Sequence, residues 1–90
     1  MSMEMEILLA DLRALDIACG TGANKHERVI VLIHACIDAG CNTKVAIQQA
    51  LGLLGWNVSH ALIILSKSTG NNPTLYRWRR DEAGIYTNHI

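Results

Sequence analysis

TKVAIQQALGLLGWNVSHALIILSKS, residues 43–68, contains two helical patterns separated by a short break that two glycines bracket. Thr43, or Asn42 before it, is suited to cap a first helix from Lys44 to about Leu51 or Leu54. Asn57 opens a second helix that runs to the end of the stretch. The stretch therefore predicts a pair of helices joined by a tight turn.

Before this pair, the sequence predicts a helix that is buried on two sides. Asn24 followed by Glu27 fits a capping box, and the pattern continues to about Ala39, where Gly40 ends it. One face of this helix carries Val29, Leu32, Ile33 and Cys36, and a second apolar face carries Ile30 and Ile37. Because both faces are apolar, we expect this helix to lie at the centre of the fold.

The first twenty residues predict a further helix. Met5, Leu8, Leu12, Leu15 and Cys19 are spaced by three and four residues, which places them on one stripe. Ser2 can cap this helix, and Gly20-Thr21-Gly22 ends it. Two interpretations stay open: the helix packs on its own domain, or Met5, Leu8, Leu12 and Leu15 form the seam of a homodimer.

The last third of the chain predicts a β-hairpin. Gly70-Asn71-Asn72-Pro73 ends the preceding helix, and the period then changes. Leu75–Arg79 and Ile85–Ile90 are rich in aromatic and β-branched residues, and Arg80–Gly84 is suited to form the loop between them. The expected order is α-α-α-α-β-β, mainly α with a C-terminal hairpin, in a single domain over 1–90. Within it, 1–22 would be an added helix and linker, and 24–90 the core.

Composition and charge limit the possible functions. The chain has 90 residues, too few for most large enzyme scaffolds, and half of them are hydrophobic. Eight basic residues balance eight acidic ones, which argues against a uniformly basic, non-specific nucleic-acid binder. The charge is nevertheless sorted along the chain, because residues 41–80 contain five basic residues and no acidic one.

The string LDIACGTG, Leu15–Gly22, resembles the first motif of class I S-adenosylmethionine-dependent methyltransferases. That motif needs a strand, a tight turn and a crossover helix before the next parallel strand. Here the strand position falls in a helical stripe, and only Ala23–Arg28 separate the turn from the next apolar run. We therefore interpret Gly20 and Gly22 as the end of a helix.

The cysteines and histidines give no metal or catalytic signal. Three cysteines without a CxxC pair or an early export signal favour a reduced, cytoplasmic protein. His34 and Cys36, two residues apart on a helix, point in nearly opposite directions and cannot share one ion. The run Val29–Ile37 is too short to span a bilayer. We expect no cofactor, no metal, no membrane and no enzymatic activity.

The arrangement from Lys25 to Ile90 resembles winged helix-turn-helix DNA-binding domains. A supporting helix (Lys25–Ala39) precedes two helices joined by a tight turn around Gly55-Trp56, and a hairpin wing (Leu75–Ile90) follows. The resemblance implies a small transcriptional regulator that binds double-stranded DNA sequence-specifically as a homodimer.

The resemblance also suggests which residues contact DNA. The candidates are polar or basic residues of the helix pair and the wing: Lys44, Asn57, Ser59, His60, Lys67, Arg77, Arg79 and Arg80. The arginines alternatively form a solvated basic strand edge. A second candidate function is protein–protein contact through a patch of Ile63, Ile64, Tyr76 and Trp78.

Overall fold

The computed structural model describes residues 3–19 and 24–89, except for the side chains of Glu4 and Cys19. Four helices are followed by an antiparallel two-stranded hairpin: α1 Met3–Cys19, α2 Lys25–Asp38, α3 Lys44–Leu53, α4 Val58–Lys67, β1 Trp78–Arg80 and β2 Tyr86–Asn88. The predicted order is confirmed. The segment Leu15–Cys19 is helical, so it cannot be the strand that a methyltransferase motif requires. The predicted cap at Ser2 and the helix end at 20–22 lie outside the described residues.

Three side chains cap the helices in the positions that the sequence indicates. The Asn24 Oδ1 accepts from the Glu27 amide at 2.8 Å, and the Thr43 Oγ1 accepts from the Ala46 amide at 3.2 Å. The Asn57 Oδ1 accepts from an amide in the first turn of α4 at 3.0 Å. Each cap satisfies a backbone donor that the helix itself leaves unpaired, which fixes where α2, α3 and α4 begin.

Gly40 and Gly55 end α2 and α3 in the same way. Both have a φ close to +90°, and in each case the following amide bonds back to a carbonyl five residues earlier: Cys41 to Cys36 at 2.8 Å and Trp56 to Leu51 at 3.0 Å. This is the Schellman arrangement, which a left-handed residue makes possible. It leaves only residues 54–57 between α3 and α4, so the positive φ of Gly55 determines the geometry of the turn between the two helices.

Replacing Gly55 by Ala is expected to lower the free energy of unfolding by about 1–2 kcal/mol, because a side chain makes the left-handed conformation costly. There is open space around the position, so backbone strain is the only cost. Urea unfolding followed by circular dichroism measures the change. An unchanged or higher stability of the Ala variant would contradict the positive φ at this turn.

The helix α2 is at the centre of the fold, as its two apolar faces predict. Val29, Leu32, Ile33 and Cys36 are fully buried, and α2 packs against α1, α3, α4 and β2. Ile30 and Ile37 on the second face are also buried. Burial on two sides makes α2 the element on which the other helices and the hairpin are positioned.

The helix α1 covers α2 with the predicted stripe. Leu12 is 1% exposed, and Met5, Leu8 and Leu15 are half-buried against the same core. An ion pair between Asp16 and Arg28 at 2.8 Å also joins α1 to α2. The stripe thus packs on its own domain. Leu12 is therefore not available for a homodimer contact, because its side chain is already buried within one chain.

The hairpin is held to α4 by Trp78, whose indole is fully buried. Its Nε1 donates to the Leu65 carbonyl at 3.1 Å and to the Thr69 Oγ1 at 3.0 Å. The strands are shorter than predicted, since residues 72–76 form a turn in which the Tyr76 amide donates to the Asn72 carbonyl at 3.0 Å. Gly84 has a φ of +82° in the hairpin loop, as predicted.

The hairpin also contacts the segment that precedes α3. Thr43 forms an antiparallel bridge with Ile85, and the Tyr86 amide donates to the Asn42 carbonyl at 2.8 Å. The end of α4 and the start of α3 are therefore both fastened to the hairpin. The hairpin therefore lies beside the start of α3 and the end of α4.

Candidate nucleic-acid interface

The outer face of α4 is polar except for one isoleucine. Ser59, Ile63 and Ser66 are exposed at helical spacing, with Lys67 beside them. Ile64, the next residue along the helix, is 2% exposed and belongs to the core. The outer face of α4 therefore presents hydroxyl and ammonium groups around a single exposed isoleucine, Ile63.

A cleft of about 250 Å³ lies where α3, α4 and the hairpin meet. Its lining comes from all three: Lys44 at the start of α3, Leu62, Leu65 and Ser66 of α4 with Thr69 just after it, and Arg80 and Tyr86 of the hairpin. Strand alternation puts Arg80 on the same face of β1 as the buried Trp78. The hairpin thus turns one arginine toward the helices and leaves Arg79 on its outer face.

The cleft and its surroundings carry uncompensated positive charge. Among the described residues, Lys44, Lys67, Arg79 and Arg80 form no ion pair with a carboxylate. Within the hairpin itself, the acidic side chains are confined to the loop, at Asp81 and Glu82, and Asp38 of α2 accepts from the Asn88 side chain of β2 at 2.9 Å. The Asp81 Oδ1 is used within the loop, where it accepts from the Ile85 amide at 2.9 Å. Positive charge is therefore concentrated on the strand and helix side of the cleft.

These groups are suited to bind an anion of phosphate size. The Lys44 ammonium supplies a point charge, and the Arg80 guanidinium supplies paired donors that match phosphate oxygens. Ser66 and Tyr86, whose side chains carry hydroxyl groups, line the same cleft. Lys44 and Arg80, from different elements, both line this cleft, and the Arg80 guanidinium lies beside Gly84 of the hairpin loop.

Other predicted DNA contacts lie elsewhere. Asn57 and His60 line a separate cavity of about 370 Å³ together with Lys25 and Trp56. The Asn57 side-chain oxygen is already used as a cap, and the His60 ring lies edge-on to His26, with ring centroids 6.4 Å apart. These two residues sit at the far end of α4 from the cleft.

Arg77 is also separate from the cleft. It lines a cavity of about 710 Å³ on the α2 side of the hairpin, with His34 and Asp38 of α2 and His89 near the C-terminus. The three wing arginines, which are close together in the sequence, therefore lie in different surroundings. Only Arg80 enters the cleft, and Arg79 remains free to contact a ligand that extends beyond it.

The proposed protein-contact patch is wrong for two of its four residues. Ile64 and Trp78 are buried in the core, at 2% and 0% exposed, which leaves Ile63 and the half-buried Tyr76. The helix and strand periods predict which residues share a face, but they do not predict which face of a short hairpin packs against α4.

Two cysteines lie together at the end of α2. The Cys36 thiol donates a hydrogen bond to Cys41 that lowers the pKa of Cys41. The same hydrogen bond, together with burial and the charge on Cys41, raises the pKa of Cys36. Over residues 3–19 and 24–89 there is no group of three His, Cys, Asp or Glu side chains able to hold a metal ion. That the cysteines bind no metal stays a prediction.

Sequence reasoning did not single out Ser66 or Tyr86. The signal for Ser66 was present, because it follows Ser59 and Ile63 at helical spacing. Tyr86 could not be assigned to the cleft, because its position beside Arg80 depends on the hairpin register, which pairs the two residues.

Comparison with known proteins gives no relative: no protein-family model, no curated protein and no solved structure matches the chain. In the part of the chain that the structure describes, no helix is both long and apolar enough to cross a membrane. Only the fold and the cleft therefore indicate a function.

Proposed function

We propose that this chain is a winged helix-turn-helix domain that binds double-stranded DNA sequence-specifically and acts as a small transcriptional regulator without enzymatic activity. One observation carries the proposal: Lys44 and Arg80 both line a cleft beside the exposed face of α4, and neither forms an ion pair with a carboxylate among the described residues. The order of helices and hairpin, and the four-residue turn between α3 and α4, support it.

In this proposal the outer face of α4 enters the major groove. Ser59 and Ser66 contact base edges, and Ile63, which is 53% exposed, contacts a thymine methyl group. Lys44 and Arg80 at the cleft, together with the exposed Lys67 and Arg79, contact phosphates and fix the position of α4 on the duplex.

The small number of cations sets the strength of binding. With about four phosphate contacts, the logarithm of the binding constant is expected to fall with a slope of about −3 to −4 against the logarithm of salt concentration. Because net charge is zero, non-specific affinity is low, and most of the discrimination must come from base contacts.

The test is a fluorescence-anisotropy titration of the full chain against duplex DNA of mixed sequence, at low and at moderate salt. We expect saturable binding at low salt that weakens at moderate salt with the stated slope, and a higher affinity for a duplex selected from random sequence. Single-stranded DNA of the same length is the control. Equal binding of single strands, or no binding to any duplex at low salt, would overturn the proposal.

A further inference from the structure

The helix α1 has a second apolar stripe, on the side opposite to the one that packs on α2. Met3, Ile7, Ala10, Ala14 and Ile17 are spaced by four and three residues, and all five are exposed. Met3 is 75%, Ile7 57% and Ile17 79% exposed. At 100° per residue this stripe is centred about half a turn from Leu12, so no element of the same chain that the structure describes covers it.

We infer that this outer stripe is the surface on which α1 pairs, antiparallel, with α1 of a second copy of the chain. The inference places the homodimer contact on residues other than Met5, Leu8, Leu12 and Leu15, which face the chain's own core. It goes beyond the proposed function and does not depend on it, because the pairing needs no DNA.

The sizes of the stripe residues fit an antiparallel pair. In the register that places Ile7 against Ala10 of the second copy, Met3 lies against Ala14 of that copy, and the two-fold axis repeats both contacts. A large side chain then meets a small one at each of the four levels, which permits close interdigitation of the two helices.

The charges beside the stripe favour the same orientation. Glu6 and Arg13 are exposed and lie on the same edge of the stripe, about two helical turns apart. Antiparallel pairing brings Glu6 of each copy beside Arg13 of the other, which gives two ion pairs across the contact. On the other edge it brings Asp11 toward position 4 of the second copy, which is also acidic in the sequence and limits the affinity.

Parallel pairing would offer no such ion pair. It would place Glu6 beside Asp11 of the second copy on both edges, and both contacts would be between like charges. The edge charges therefore favour a copy of this same helix in the antiparallel orientation.

The first experiment is analytical ultracentrifugation of the full chain at tens of micromolar. We expect a dimer for the wild type and a monomer for Ile7→Glu, whose far-ultraviolet circular dichroism and urea midpoint should stay near the wild type because the position is exposed. Val45→Glu is the matched control, since Val45 is also an exposed aliphatic residue, on α3. This control should remain dimeric.

The second experiment tests orientation by charge exchange. Arg13→Glu should weaken the dimer by about tenfold, because it replaces the guanidinium beside Glu6 by a second carboxylate at both symmetric contacts. Adding Glu6→Arg to the same chain should restore the affinity, a coupling that two unrelated surface changes would not show. Arg13 also donates to the Leu53 carbonyl at 3.4 Å within its own chain, so the urea midpoint of each variant is measured alongside its affinity.

Several results would overturn the inference. A wild-type chain that is monomeric at tens of micromolar would do so, as would a dimer that Ile7→Glu leaves intact. A dimer that Ile7→Glu dissociates but that the charge exchange fails to restore would exclude the antiparallel register stated here.

Discussion

Trp78→Ala is expected to lower the free energy of unfolding by about 3–5 kcal/mol, the largest effect of any single substitution in the hairpin. The indole is fully buried between the hairpin and α4, and its N–H bonds to the end of α4. A domain of this size has only a few kcal/mol in reserve, so the variant should be largely unfolded or should lose the hairpin. Urea unfolding, followed by circular dichroism, measures the loss.

Trp78→Phe separates packing from hydrogen bonding. It retains an aromatic ring but removes the donor to the Leu65 carbonyl and the Thr69 hydroxyl. We expect it to cost about 1–3 kcal/mol. If Trp78→Ala costs less than Trp78→Phe, or less than about 1 kcal/mol, then the indole does not hold the hairpin to α4 as described.

The second large effect concerns the cleft. Lys44→Ala combined with Arg80→Ala should weaken binding to all duplexes alike, by about 10- to 100-fold at low salt, and should reduce the salt slope by about two units. The reason is that both side chains are proposed to contact phosphate and not base edges. Anisotropy titrations at several salt concentrations give the affinity and the slope from the same data.

Lys25→Ala combined with Arg77→Ala is the matched control, because it removes the same charge from positions that line other cavities. Its salt slope should change by less than about one unit. Equal losses in the two double variants would show that net charge, and not the cleft, governs binding, and the assignment of Lys44 and Arg80 would then be wrong.

Local signals predicted most of the fold. Asn24, Thr43 and Asn57 mark helix starts because a side-chain oxygen before the first turn satisfies an unpaired amide. Gly40 and Gly55 mark helix ends because they adopt the left-handed conformation. These effects act over a few residues, so they can be read from the sequence without knowledge of the tertiary structure.

Features that depend on tertiary packing were harder to predict. Ile63 and Ile64 are adjacent and chemically identical, and only the rotation of α4 against α2 and the hairpin decides that Ile64 is buried. Trp78 was assigned to a surface patch because the packing of the hairpin against α4 could not be predicted from the sequence. The outer stripe of α1 was not predicted, because the exposure of its residues depends on which side of α1 packs against the core.

The cleft combines both kinds of information. Each of its cations was identified from the sequence, because basic residues in a helix pair and a wing are candidates for phosphate contact. Their grouping was not, since the hairpin register and the packing of Trp78 decide that Arg80 lines the same cleft as Lys44 and that Arg77 lines a different cavity.

The central claim is that DNA binds along α4 and the cleft, and an amide NMR titration of the isotope-labelled chain with duplex DNA tests it most directly. We expect the largest shifts at Lys44, around Ser59 and Ser66, and at Arg79 and Arg80, with little change on the outer stripe of α1. Shifts confined to α1 or to the Arg77 cavity, or no shifts at all at low salt, would contradict it.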